Sequence, residues 1–323
     1  MVVSIRAGAG APALLDHREA GAPALLDHRT LEGAELRIAV TGAAGRLGRH
    51  VVARAQRAGH EVVATDLPGA TGESDGRVEW RAADLTDLDE ARAVLAGAQG
   101  VIHLGGLVHP RYPEPEVHRV NVNGTYHVLV AAEEHGLEGV CLASSINAIG
   151  GVYSAEPRYD YFPVDEDHPT YAEDAYSLSK WIVEQQSAAF ARRRPDVAFS
   201  ALRLHGLRAD AEAAKSRGPD DGRARKDLWG WVSFDAAAAA CLLALLRPAP
   251  GHAVYHVVAD RTITSTPSTE LAARWYPGVA LREPMAGNAG FYSTARATAD
   301  LGWDPAVDHP EIGARERSRL PAA

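Results

Sequence analysis

The stretch LRIAVTGAAGRLG, residues 36–48, decides the fold class of this chain. Its first five residues form a short apolar run with β-branched side chains, which predicts a buried strand over 36–40. Gly42, Gly45 and Gly48 follow, and the apolar spacing after them predicts a helix over 46–58. A strand that enters a helix through a glycine turn is typical of the first unit of a wound α/β sheet.

Strand and helix patterns continue to alternate along the chain. Most of the strand segments are continuous apolar runs, which favours buried parallel strands joined by crossover helices. The sequence therefore predicts a Rossmann-type doubly wound α/β fold. Further strands are predicted over 61–65, 78–85, 100–106, 139–145 and 197–204, and further helices over 87–95, 116–134 and 176–194.

The pattern loosens after residue 204, where a polar loop precedes a helix over 236–246, a strand over 253–259 and a short helix over 269–275. We expect residues 206–323 to form a small substrate-binding lobe interleaved with the core, and residues 36–205 to form the dinucleotide-binding domain. Residues 1–35 are expected to be an extension, in which AGAPALLDHR occurs twice, at 9–18 and 20–29.

Composition narrows the class of protein. The 323 residues carry a net charge of −9, which disfavours nucleic acid and anionic lipid as partners. Two cysteines give no disulfide framework, and no Cys/His cluster has metal-ligand spacing. The longest apolar run, 236–246, is shorter than the about 20 residues that cross a membrane. We expect a cytoplasmic protein with no metal.

The glycine turn predicts a dinucleotide site, because glycines let the backbone approach a pyrophosphate at a helix N-terminus. Asp66 ends the second strand, where a carboxylate binds ribose hydroxyls and repels a 2′-phosphate, so NAD is favoured over NADP. Arg46 is the one feature that favours the phosphate. The predicted cofactor-binding residues here are Gly42, Gly45, Arg46, Leu47, Gly48, Asp66, Asp84, Leu85, Leu104, Gly105, Gly106 and, further along the chain, Asn121.

Tyr176 and Lys180 are four residues apart on one face of a predicted helix. A nearby ammonium lowers the pKa of a phenol, which makes Tyr176 a candidate general base for a hydroxyl substrate. Lys180 can also reach the nicotinamide ribose. Ser145 ends the fifth strand and is the candidate for positioning the reacting oxygen, with Ser144 as the competing choice. Asn147 is expected to face the substrate.

These motifs together resemble the extended short-chain dehydrogenases/reductases, the NAD-dependent epimerase/dehydratase superfamily. The resemblance covers about residues 36–305 and is carried by TGAAGRLG (41–48), ADL (83–85), HLGG (103–106), NVNGT (121–125), SSINAIG (144–150), YSLSK (176–180) and LGWDP (301–305). It implies that Ser145, Tyr176 and Lys180 form a catalytic triad with Tyr176 and Lys180 also at the cofactor, that Asn121 supports the lysine region, and that the helices at 116–134 and 176–194 form a homodimer.

Within the superfamily the chain looks most like uronate and related sugar dehydrogenases, which oxidise a sugar-acid hydroxyl with NAD. That resemblance implies that a basic residue before the tryptophan segment, Lys226 or its neighbour Arg225, holds the substrate carboxylate. A nucleotide-sugar epimerase or dehydratase with tightly bound NAD stays open as an alternative. A non-catalytic NAD-binding sensor is the third reading.

Overall fold

A seven-stranded parallel sheet forms the centre of the fold. The computed structural model describes residues 35–70, 72, 74–210, 218–246 and 249–304. The sequence duplication at 9–18 and 20–29 lies outside these residues. In chain order the strands are β1 (Arg37–Thr41), β2 (Glu61–Asp66), β3 (Val78–Ala82), β4 (Gly100–His103), β5 (Gly139–Ser145), β6 (Tyr161–Phe162), β7 (Ala198–Leu204), β8 (Leu207–Arg208), β9 (Val232–Ser233), β10 (Gly251–Val257) and β11 (Ala280–Leu281).

The helices are numbered in the same way. They are α1 (Arg46–Arg57), α2 (Leu88–Leu95), α3 (Glu114–His118), α4 (Gly124–Glu134), α5 (Ala175–Arg193), α6 (Gly222–Lys226), α7 (Phe234–Leu246), α8 (Ser268–Trp275) and α9 (Ala295–Leu301).

The strand order of the large sheet is β10-β7-β5-β4-β1-β2-β3, and every neighbouring pair is parallel. The chain winds outward from β1 to β3 and then crosses to β4 on the other side of β1. The carboxyl ends of β1 and β4 therefore diverge into a crevice, which is where ligands bind in wound sheets. The prediction of a Rossmann-type doubly wound sheet is confirmed.

Helices cover both faces of the sheet. One apolar cluster joins the sheet to α1, α7 and α9, and a second joins it to α2, α4 and α5. The helix α7 is rich in alanine and is buried along nearly its whole length, so it packs closely against the sheet. Among the described residues, no helix has the length and apolar character needed to cross a bilayer.

Several predicted elements differ from the structure, and one of them is the fourth strand, which ends at His103 and not at residue 106. The third strand ends at Ala82, three residues early, and the predicted helix over 116–134 is divided into α3, a π-helical turn at Arg119–Asn123, and α4. The strand predicted over 253–259 is β10, which pairs with β7 as the edge of the main sheet. Residues 234–257 thus return to the core, while the domain boundary at 206 stays a prediction.

A third apolar cluster lies beyond the carboxyl ends of the strands. It joins the turn after β5 to β6, α6 and α8 through side chains such as Phe162, Trp229 and Leu271. Two short parallel pairs, β6 with β11 and β8 with β9, brace this layer. The layer forms the wall opposite the glycine turn and so encloses the crevice.

Candidate functional site

A cleft of about 760 Å³ runs along the carboxyl ends of the strands. At one end it meets the turn between β1 and α1, and at the other it meets the layer that contains α6. The predicted site residues on its wall are Gly42, Gly45, Arg46, Leu47, Gly48, Asp66, Asp84, Leu85, Leu104, Gly105, Gly106, Ser145, Asn147, Tyr176 and Lys180. Asn121 and Lys226 do not line it.

The glycine turn has no room for larger residues. Gly42 has a φ of +66°, and a Cβ there would lie 2.8 Å from the backbone of Leu104 and Gly105. A Cβ on Gly48 would lie 2.2 Å from the Gly42 carbonyl oxygen. The turn therefore brings β1, β4 and the start of α1 into direct backbone contact, and the cleft floor there is bare main chain.

The first turn of α1 is open to an anion. Its N-cap is Gly45, no side chain caps it, and no acidic residue lies in its first turn. By contrast, α2, α5 and α6 are capped by Asp87, Asp174 and Asp221. Unsatisfied amides and the helix dipole favour a negative group at such an end. This bare cradle fits a dinucleotide pyrophosphate, which the first-turn amides of α1, from Arg46 onwards, would hold.

Asp66 stands beside the glycine turn at the end of β2. One carboxylate oxygen accepts a 2.9 Å hydrogen bond from the Ala44 amide, and the other accepts one from the Leu67 amide. The carboxylate thus lies at the glycine-turn end of the cleft, where the sequence predicts a group that binds ribose hydroxyls. Arg46 lies with its guanidinium 5.2 Å from the ring centre of Phe234.

A buried hydrogen-bond chain fixes the end of β4. Thr41 accepts from the amides of Leu104 and Gly105 and contacts His103 at 2.7 Å, and the other His103 nitrogen lies 3.1 Å from Thr125. Burial lowers the pKa of His103 to about 3, so the ring is neutral. No group of metal-binding side chains occurs within the described residues.

Asn121 acts from behind the cleft wall. Its side-chain oxygen accepts from the Leu107 amide, while its amide nitrogen donates to the Leu107 carbonyl and to Ser179 on α5. It therefore ties the loop after β4 to the helix that carries Tyr176 and Lys180. This contact agrees with the supporting position that the resemblance implies, although the side chain itself does not reach the cleft.

Ser145, Tyr176 and Lys180 come together at the centre of the cleft. The Ser145 hydroxyl lies beside the Tyr176 phenol, and its interaction with the phenol lowers the pKa of Tyr176. The Lys180 ammonium donates a 2.7 Å hydrogen bond to the Ala143 carbonyl and lies 5.9 Å from the Tyr176 ring centre. All three side chains are more than nine-tenths buried. The helix α5 and the end of β5 therefore present one hydroxyl, one phenol and one ammonium to the same space.

The electrostatics of this group correct the sequence-based argument about Tyr176. Burial raises the pKa of the phenol to about 12 and outweighs the hydrogen bond from Ser145, which lowers it. Burial also lowers the pKa of Lys180 to about 8, against the opposing charge of Glu184. In the protein without cofactor, the lysine is therefore the first member of the pair to lose its proton.

The structure separates the two candidate serines. Ser144 donates a 2.5 Å hydrogen bond to Glu184, which lies behind the cleft wall. Ser145 instead accepts hydrogen bonds from the backbone and side-chain nitrogens of Asn147, at 3.2 and 3.3 Å. Of the two hydroxyls, only that of Ser145 is directed to the Tyr176 phenol.

Neither basic residue that the resemblance points to reaches the cleft. The Lys226 ammonium donates to the carbonyls of Ser154 and Ala155, at 2.8 and 2.6 Å. Arg225 lies over the ring of Trp275 at 5.0 Å. These contacts attach α6 to the neighbouring loop and to Trp275. Neither side chain lines the cavity.

Several residues that line the cleft were not predicted as site residues, among them Tyr153, His205 and Arg223. Tyr153 meets Tyr176 edge to face, with ring centres 5.7 Å apart, and Arg223 lines the same wall. His205 accepts from the Gly206 amide and donates to the Asp227 carbonyl, and burial lowers its pKa to about 4. They lie in or beside segments read as loops, and only the run of three basic residues at 223–226 offered a signal.

The chain belongs to the NAD dependent epimerase/dehydratase family, whose model matches residues 38–217. The matched segment runs from β1 past β8 and contains the glycine turn, Ser145, Tyr176 and Lys180. The protein is therefore an NAD-dependent enzyme of the dehydrogenase/epimerase type. The open α1 cradle and Asp66 fit NAD as the cofactor.

Uronate dehydrogenase from Pseudomonas syringae pv. tomato is 27% identical over 224 residues, which cover 69% of this chain and 74% of that protein. Two solved structures share the fold. One is a variant of uronate dehydrogenase from Agrobacterium tumefaciens complexed with NAD, with a TM-score of 0.62, 21% identity, and 90% and 92% of the two chains covered. The other is MoeE5 in complex with UDP-glucose and NAD, with a TM-score of 0.62, 23% identity, and 88% and 97% covered.

Proposed function

We propose that this enzyme oxidises a hydroxyl group of a small sugar acid and that Tyr176 accepts the hydroxyl proton. The observation that carries the proposal is the convergence of Ser145, Tyr176 and Lys180 on one cleft that continues to the uncapped start of α1. When bound, NAD supplies the hydride acceptor. Similarity to a uronate dehydrogenase supports a sugar acid as the substrate class.

The side chains divide the work on the substrate hydroxyl. The Ser145 hydroxyl lies beside the Tyr176 phenol, so a substrate hydroxyl bound next to both groups is oriented towards the phenol. Asn147 holds Ser145 in that position through its two nitrogens. Lys180 places a titratable ammonium beside the phenol and so offers a second place for the proton.

Water is largely excluded from the reacting groups. Tyr153 covers one edge of the Tyr176 ring, and both Tyr176 and Lys180 are almost fully buried. In such a site hydrogen bonds and charges act more strongly than in water. A substrate that enters the cleft would complete the enclosure from the side of α6.

The test is an assay of purified protein with NAD and a panel of hexuronates, the matching hexoses and nucleotide-sugars, with NADH absorbance as the readout. Net NADH with a hexuronate supports the proposal, and Tyr176→Phe is then expected to bind NAD but lose most of the turnover. Conversion of a nucleotide-sugar without net NADH, together with co-purified NAD, would support the epimerase instead. Binding of NAD with no turnover of any sugar would support the sensor.

A further inference from the structure

The short helix α6 carries three basic side chains with three different environments. Arg225 is packed against Trp275 and has the Glu156 carboxylate at 4.0 Å. Lys226 donates to two main-chain carbonyls of the loop that follows Tyr153. These two cations are therefore used to attach α6 and that loop to each other and to α8.

Arg223 differs from both neighbours. Its side chain is exposed and lines the cleft, and its guanidinium carbon lies 5.7 Å from the ring centre of Tyr153. Within the described part of the chain, this ring contact is its only recorded interaction, since it makes no hydrogen bond or ion pair there. Its five donor hydrogens therefore have no acceptor among the described residues, and the side chain borders the cavity.

Tyr153 connects this guanidinium to the reacting phenol. The centre of its ring lies 5.7 Å from the Arg223 guanidinium carbon, and the same ring meets the Tyr176 ring edge to face with centres 5.7 Å apart. A single aromatic ring thus separates Arg223 from the proton acceptor. A substrate that lies along Tyr153 would meet Tyr176 with its hydroxyl and Arg223 with its far end.

We propose that Arg223, rather than Lys226 or Arg225, is the specificity-determining residue that binds the substrate carboxylate. The assignment rests on the proposed function, because it names the group that distinguishes a sugar acid from a neutral sugar. A guanidinium fork matches a carboxylate with two parallel hydrogen bonds. The contact with the Tyr153 ring holds the fork in place before the substrate arrives.

The other charged groups at this end of the cleft are Arg208 and Asp227. Arg208 donates to the carbonyl of its neighbour Leu207, and both Arg208 and Asp227 have further contacts within the protein. Arg223 is therefore the cation at this end whose donors are available to a ligand within the described residues.

The experiment compares kcat/KM for glucuronate and for glucose, which differ only in the carboxylate at C6, in wild-type protein and in Arg223→Gln. Arg223→Gln removes hydrogen bonds between charged groups, which contribute strongly to binding. It should therefore lower kcat/KM for glucuronate by about 10- to 100-fold, mainly through a higher KM. The value for glucose should stay within a few-fold. Arg223→Lys keeps the charge but not the forked pair of donors. Its kcat/KM for glucuronate should lie between the values of the wild type and of Arg223→Gln.

Arg274→Gln is the matched control, because Arg274 also lies over an aromatic ring, at 4.8 Å from that of Trp275, but does not line the cleft. It should keep the wild-type ratio of the two substrates. If Arg223→Gln keeps the wild-type preference for glucuronate over glucose, or if Lys226→Gln loses that preference instead, the assignment of Arg223 is overturned while the proposed function stands. If none of the uronates supports NAD reduction by the wild-type protein, the proposed function is overturned, and the assignment of Arg223 with it.

Discussion

The Ser144 hydroxyl donates a hydrogen bond to the Glu184 carboxylate, which is paired in turn with Arg203. Ser144 lies next to Ser145 in β5, and Glu184 lies one turn beyond Lys180 in α5. This buried junction therefore fixes the strand end and the helix that together form the site. Both serines border the cleft, but the hydroxyl of Ser144 is bound to Glu184 while that of Ser145 interacts with Tyr176.

The two serines should respond differently to alanine. Ser145→Ala removes the hydroxyl that contacts Tyr176 and should lower kcat by roughly 100- to 1,000-fold, the usual effect of losing one hydrogen-bond donor at a reacting oxygen. Ser144→Ala should keep kcat within several-fold but lower the free energy of unfolding by about 1–3 kcal/mol, because a buried carboxylate loses a donor. Steady-state kinetics and denaturant unfolding of both variants measure this. The reverse pattern would exchange the two assignments.

The Arg203–Glu184 pair should be needed for stability. Both side chains are nearly inaccessible, and Arg203 donates twice to Glu184, at 2.9 and 2.8 Å. Arg203→Met leaves the carboxylate without its cation and should lower the free energy of unfolding by about 3–5 kcal/mol.

Unfolding in guanidinium chloride measures the free energy of unfolding and so tests the prediction for Arg203. The double variant Arg203→Met with Glu184→Met should recover much of the loss, since no charge then stays buried. Arg92→Met breaks the exposed Arg92–Glu134 pair and should change stability far less. Equal losses in Arg203→Met and Arg92→Met would contradict the argument.

The rate of oxidation should rise with pH through about 8. The Tyr176–Lys180 pair can take up the substrate proton only after it has lost one proton, and burial lowers the pKa of Lys180 to about 8 while that of Tyr176 is about 12. Below pH 8, kcat/KM should therefore increase about tenfold per unit, and above it should level off. His103 stays neutral throughout this range because its pKa is about 3.

Variants identify the group behind that pH limb. In Lys180→Met the remaining acid is Tyr176, so the limb should move to higher pH and the rate at pH 8 should fall. Glu184→Gln removes the negative charge that raises the pKa of Lys180, so the limb should move to lower pH. A limb that stays in place in both variants would show that another group titrates.

Asp66 should set the preference for NAD. Its carboxylate stands beside the amide of Ala44 in the glycine turn, where it would repel a 2′-phosphate. A like-charge contact costs a few kcal/mol, so Asp66→Ala should narrow the ratio of kcat/KM for NAD over NADP by roughly 10- to 100-fold. Coenzyme kinetics with both dinucleotides measure the ratio. An unchanged ratio would mean that Arg46 or another group sets the selectivity.

Much of the fold follows from the sequence because buried parallel strands are written as continuous apolar runs. The carboxyl ends of β5 and β7 were predicted to the residue, and the folded chain brings Ser145, Tyr176 and Lys180 together as expected. Strand pairing is not written in this way, so β10 was predicted as a strand without its place at the sheet edge. The π-helical turn before Gly124 keeps the apolar spacing of a helix and left no signal.

Electrostatics and side-chain direction were the parts of the site that the sequence could not supply. The four-residue spacing of Tyr176 and Lys180 correctly indicates that they are neighbours, but burial decides their pKa values, and burial is a property of the whole fold. Lys226 and Arg223 are one helical turn apart on α6, and only the folded chain distinguishes the cation on the loop from the cation in the cleft.

The backbone that follows α6 has a consequence for redesign. Leu228 and Trp229 have φ values of 56° and 51°, both side chains are fully buried, and His205 donates to the carbonyl just before them. Their left-handed geometry is thus imposed by the interior and does not depend on Arg223. Under the role proposed for Arg223, substrate preference and the stability of this corner depend on different residues, so a saturation library at position 223 should yield folded enzymes with altered substrate preferences.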